Sequence, residues 1–158
     1  MERVKLIKMN NKTWMGIDPG KSGSIVIIDE NREAVAIYKM PEDASELLEI
    51  FEKHSDVSFA ILERVHGMPG MGGTQMFTFG KNYGHIEMAL LSKKIPFETV
   101  TPQKWMKSME LGTKKFGETK TQWKNHLKAQ AVRLFPKVKI TLAIADALLI
   151  AEYCKRNY

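Results

Sequence analysis

Cysteine is almost missing from this chain: Cys154 stands alone among 158 residues, which excludes an internal disulfide and a cysteine-built metal site. It lies towards the end of an apolar-faced C-terminal stretch and reads as an inert thiol. Long hydrophobic runs are missing too. The most apolar segment, residues 142–151, is short and interrupted by Asp146, so no membrane span is expected. No stretch rich in Pro, Ser and Gly divides the chain, and its length suits one domain, residues 1–158, around one sizeable core. The first residues include Arg3 and Lys5, but no apolar segment with a small-residue cleavage site follows. Nothing reads as a secretory signal, and a cytoplasmic protein is expected.

Acidic residues are scarce in one region. The whole chain carries 24 Lys and Arg against 18 Asp and Glu, a net charge of +6. Between residues 93 and 139 the imbalance is far steeper, with twelve basic residues against Glu98, Glu110 and Glu118. Lys104, Lys107, Lys114, Lys115, Lys120 and Lys124 alternate there with Trp105, Phe116 and Trp123. Such a pattern neutralises phosphates while aromatic rings pack on sugar or base. A solvated basic face with no partner is the plainer reading. Nucleic acid is favoured because acids elsewhere stand where a phosphate-bound metal would sit.

What is present in strength is strand and turn chemistry. Residues 14–17 and 24–28 are bulky or β-branched runs joined by Pro19-Gly20 and Ser22-Gly23, a hairpin that leaves Asp18 at the end of its first strand. In the plainer reading Asp18 only bonds its own turn. Residues 34–38 make a third strand. A helix starts at Pro41, with Ala44, Leu47, Leu48 and Phe51 on one face, and ends at His54-Ser55-Asp56. The apolar strand 57–62 delivers Glu63 to a loop with four glycines and a proline in residues 67–74, built for mobility and for gripping a substrate. His66, in the approach to that loop, reads as a polar contact ahead of a metal ligand or base.

The second half alternates helix and strand. Residues 75–92 form a helix whose small residues Gly80, Gly84 and Ala89 mark tight packing on the sheet or, as the alternative, a dimer seam. A strand follows at 95–100, then a short helix capped by Thr101 with Pro102 in first place. After a Gly- and Lys-rich loop at 110–118, Thr119 caps a helix over 120–135, which Pro136 stops. Residues 140–153 read as a helix that is apolar nearly all round, with Asp146 in its first turns. Burying that lone carboxylate costs several kcal/mol unless a cation or a partner meets it. A lysine such as Lys139, or a capping role for Asp146, is the structural alternative.

Three antiparallel strands, helix, strand, helix, strand, helices, with acids after strand one, after strand four and in the last helix, resemble the ribonuclease H-like fold. That likeness implies an α/β domain with a mixed five-stranded sheet and helices on both faces, strands one and four side by side, and Asp18, Glu63 and Asp146 together. Oxygen ligands of this kind suit Mg²⁺ or Mn²⁺. Four motifs in order carry a narrower likeness: Gly16-Ile17-Asp18-Pro19-Gly20, Ile61-Leu62-Glu63, Thr101-Pro102-Gln103-Lys104-Trp105 with the Lys-rich helix after it, and Ala145-Asp146-Ala147-Leu148. Together they resemble a RuvC-type Holliday junction resolvase of the compact kind found in phages, over most of the chain.

The resemblance implies a homodimer that binds four-way DNA and makes paired nicks by two-metal phosphodiester hydrolysis. It makes Asp18, Glu63 and Asp146 ligands of two Mg²⁺ or Mn²⁺ ions and sets Lys107 and Lys120 at the scissile phosphate, Lys120 as a catalytic residue. His66 falls near a position where such proteins often carry an aromatic that wedges into the junction. One position departs from the pattern: the acid or His usual about one turn before the last Asp is absent, and Leu142 and Ala143 stand there. A carboxylate at 143 would share a helix face with Asp146. A lone alanine in an otherwise intact site is the pattern of an inactivated variant, and a natural three-acid site is the other reading. Two rivals remain: an actin-like or sugar-kinase ATPase, disfavoured by length and by the lack of a second phosphate loop, and a branched-DNA-binding module without catalysis.

Overall fold

Runs of Ile and Val joined by tight turns give an antiparallel meander, β1 (Thr13–Ile17), β2 (Ser24–Asp29) and β3 (Ala34–Lys39), in a computed structural model that describes residues 11–67 and 69–158. The polar, Lys- and Asn-rich residues 1–13 suit an arm or short edge strand; up to position 10 they lie outside the described residues, and Thr13 already belongs to β1. On the other side of β1 the chain adds β4 (Phe59–Glu63), and on β4 it adds β5 (Phe97–Val100), both parallel. The sheet order is β3-β2-β1-β4-β5. Parallel neighbours need crossovers, and these are α1 (Ala44–Lys53) and α2 (Gly73–Ser92). Three further helices complete the chain: α3 (Pro102–Ser108), α4 (Lys120–Leu134) and α5 (Leu142–Asn157).

Both faces of the sheet are covered, as expected. Met15, Ile17, Ile25, Ile27 and Leu62 pack with Phe51 of α1 and with Ile86 and Leu90 of α2. Trp14, Val26, Ile28 and Ile61 pack on the opposite side with α3, α4 and α5. Alternate residues of each strand thus enter different cores, which is why β2 and β4 read as continuous apolar runs.

Where element ends differ from expectation, a hydrogen bond explains the shift. Helix α1 begins at Ala44 and not at Pro41, because the Asp43 carboxylate accepts from the Ser45 N–H at 2.7 Å and caps it. Strands β4 and β5 begin two residues later than the apolar runs. The N–H of Val57 is spent on His54 O and that of Ile95 on Leu90 O, both bonds closing the preceding helix. Gly80 and Gly84 do not pack on the sheet: a Cβ on either would meet nothing within 4 Å among the described residues, and α2 buries Ile86, Ala89 and Leu90 instead.

Helix α5 lies directly on β1. A Cβ at Gly16 would sit 2.2 Å from Ala147 O and 2.4 Å from Ala151 N, so strand and helix touch main chain to main chain. The Ser24 hydroxyl donates to Ala143 O at 3.0 Å, tying the start of β2 to the first turn of α5. Further along α5, buried Glu152 accepts from Arg32 and Arg156, which hold its carboxyl below the usual range against the opposing effect of burial. Cys154 is buried as well, and burial pushes its thiol up to about 12.

Candidate active site

The register of β1 on β4 pairs Ile17 with Leu62, so the next residues, Asp18 and Glu63, stand side by side at the carboxyl ends of adjacent parallel strands. Ligand sites of open α/β sheets commonly lie off those ends. Asp18 is held by the hairpin itself: its N–H donates to Ser24 O at 3.0 Å, and its Oδ1 accepts from the Gly20 N–H at 3.1 Å. The turn bond of the plainer reading is therefore real, and it fixes the carboxylate. Gly23 is required here, since a Cβ would fall 2.1 Å from the Asp18 carbonyl oxygen. Glu63 is only 7% exposed, and its Oε1 accepts from the indole N–H of the fully buried Trp105 at 3.1 Å.

Asp146 comes from the opposite side, on α5, and is 4% exposed. One of its oxygens is paired with the Lys124 ammonium of α4. The other, Oδ1, is buried without a hydrogen-bond partner among the described residues. The four groups form one electrostatic cluster. Burial, reinforced by the charges of Asp18 and Asp146, pushes Glu63 up to about 7 against the opposing Trp105 bond. Burial also raises Asp18, opposed by the Gly20 N–H and helped by Asp146. Burial alone would lower Lys124; the Asp146, Asp18 and Glu63 charges reverse this and raise it.

No family model matches the sequence, and no curated protein matches it either. Solved structures do match. RuvC of Thermus thermophilus in complex with a Holliday junction substrate superposes with a TM-score of 0.60 at 15% identity, covering 92% of this chain and 95% of that one. A second structure of Thermus thermophilus RuvC gives 0.58 at 15%, covering 91% and 95%. The fold is that of RuvC.

On this RuvC fold the structure brings Asp18, Glu63, Asp146 and Lys124 together. Lys124, not Lys139, pairs with Asp146. Lys120, one turn earlier on α4, is exposed and makes no ion pair with the three acids among the described residues. His66 is exposed beyond β4, and Lys104 stands 3.6 Å from Glu98. Lys107 and Lys114 edge a cavity of about 780 Å³ with Met106 and Trp123 on its wall. Lys115 is exposed, and Ala143 is exposed one turn before Asp146. The glycine-rich loop has neither helix nor strand over residues 64–67 and 69–72; Met68 lies outside the described residues.

Lys124 was legible as more than one lysine among many. It shares a helix face with Leu127 and Ala131, the buried residues of α4, so a lysine in that stripe calls for a buried acid. The donation from Trp105 had no sequence signal, because the spacing of α3 shows only that the ring is buried.

Whether the cluster fits a divalent cation divides into chemistry and spacing. The donors are all carboxylate oxygens, one of them buried and unpartnered among the described residues, which is what Mg²⁺ or Mn²⁺ takes. Among the described residues, however, no group of three or more His, Cys, Asp or Glu side chains stands close enough together to hold a metal ion. The positive charge among them is that of Lys124. The donor set fits; an ion would have to draw the carboxylates inward and displace the ammonium.

Proposed function

We propose that this protein is a metal-dependent, structure-selective endonuclease of the compact phage type that resolves Holliday junctions and other branched DNA by paired nicks. The observation that carries this is the convergence of Asp18, Glu63 and Asp146 from three elements of a RuvC fold, beside a lysine-rich surface. In this reading the three acids hold Mg²⁺ or Mn²⁺, which supplies activation of a water and stabilisation of the leaving 3′ oxygen when bound. Lys124 keeps the acids compensated until then. Lys120 and Lys107 meet the scissile phosphate, and Lys104, Lys114, Lys115 and His66 contact the flanking DNA. A second copy of the chain completes a symmetric pair of sites matched to the two equivalent strands of a junction.

Ala143 favours a second reading, a branched-DNA-binding module without cleavage. It offers no carboxylate on the helix face it shares with Asp146, and Lys124 already answers part of the negative charge. The two readings separate on a labelled four-way junction with Mg²⁺ or Mn²⁺. The sequence as it stands should bind and nick slowly or not at all. Ala143→Asp should nick, and Asp18→Asn added to it should stop nicking while binding persists. If the unaltered chain cuts as fast as Ala143→Asp, position 143 is no needed ligand. If none of the three cuts branched DNA, the enzyme reading fails and the binding module stands.

A further inference from the structure

Phe116 has a relative exposure of 110%, the highest among the large apolar side chains of the described residues. An exposed ring by itself means little, but this one is carried on a closed turn. The Glu118 N–H donates to Lys115 O at 3.1 Å, and the Glu118 carboxylate accepts from the Lys115 N–H at 2.8 Å. Gly117 has φ +80°, the conformation that a type II turn needs at its third position, and this puts Phe116 second, at the outer corner. The next residue, Thr119, caps α4 in a reciprocal capping box with Gln122. The ring is thus mounted on the end of a helix.

Its surroundings select the partner. Lys114 and Lys115 precede it, Lys120 follows, and all three are exposed. The acid of the turn itself, Glu118, is engaged by its backbone. The ring stands clear of the fold between these cations, the arrangement with which nucleic-acid-binding proteins hold a strand's phosphates and stack its bases. The turn leads into the helix that carries Lys124, five residues and about 7.5 Å of axis beyond the Thr119 cap.

We propose that Phe116 is a stacking platform for an unpaired or branch-point base, with the adjoining phosphates on Lys114, Lys115 and Lys120. It rests on the part of the preceding reading that makes DNA the partner and is independent of cleavage. A base at a branch has already lost a neighbour, so moving it onto the ring costs less than in a continuous duplex.

The test uses metal-free gel shifts and a four-way junction carrying 2-aminopurine at the branch, with linear duplex of the same sequence as reference. Phe116→Ala should weaken junction binding about tenfold or more, and duplex binding by less than about threefold. Phe116→Trp should restore the affinity and Phe116→Leu should not, and the fluorescence change on binding should vanish with the ring. The proposal is overturned if Leu serves as well as Phe, if junction and duplex weaken equally, or if Phe116→Ala alters sedimentation of the free protein while DNA binding stays intact. Failure of the unaltered protein to bind any DNA is a different result, since it removes the DNA reading itself.

Discussion

Glu63 is a carboxylate kept where it does not want to be charged. With its pKa pushed from 4.5 to about 7 by burial and by Asp18, the folded protein holds a proton that the unfolded chain releases. Its charge therefore costs nothing below about pH 4.5, and stability falls as pH rises through the window up to about 7. The full shift corresponds to about 3 kcal/mol. In metal-free buffer Glu63→Gln should raise the melting temperature at pH 8, with little difference from the unaltered protein at pH 4.5. Equal melting curves at both pH values would show that Glu63 is not strained. At this scale the sequence was informative wherever a polar residue interrupts an apolar pattern, as at Asp146 and at Glu63 after its strand. It was silent on Trp105, whose indole N–H needs a partner that only tertiary structure supplies.

Among elements, α5 against β1 is the contact on which the rest turns. No side chain separates the two main chains at Gly16, so the helix cannot shift to relieve a larger residue without lifting off the strand. Gly16→Ala should destabilise by about 3 kcal/mol or more, since overpacking against backbone has no rotamer escape. It should also weaken any Mg²⁺-induced rise in melting temperature, because Asp146 moves away from Asp18 with the helix. Denaturant midpoints with and without Mg²⁺ measure both effects. Order and type of the elements were readable because apolar periodicity and caps such as Thr101 and Thr119 speak locally. Their starts were less so: Val57 and Ile95 look like strand residues, yet their N–H groups close the helices before them.

Over the whole molecule, the side of α2 away from the sheet is unusual. Phe77, Met88 and Leu91 are exposed at 74%, 63% and 60%, and Gly80 and Gly84 between them have open space above. Spacings of three and four residues line these five along one helical face, and glycine lets a second backbone come close. In the proposed dimer this face would meet the second copy. Sedimentation should give a dimer at micromolar concentration, and Met88→Arg should give a monomer. A monomeric unaltered protein, free and with junction bound, would exclude the dimer. The sequence pointed to Gly80 and Gly84 on this face but not to Phe77, Met88 or Leu91, and it could not tell a sheet-facing stripe from an outward one, because glycine suits either.

The bond from Ser24 to Ala143 joins positions 119 residues apart, and the contact of Gly16 with Ala147 and Ala151 spans still more. Contacts of such sequence separation form late and slowly. On the ribosome, where residues emerge in order, the hairpin bearing Asp18 is out long before α5 can meet it. A growing chain in this state has β1 uncovered on one face and only two of the three acids. Completion of the acid cluster and closure of the core beneath α5 are therefore the same event, so an unfinished product carries neither.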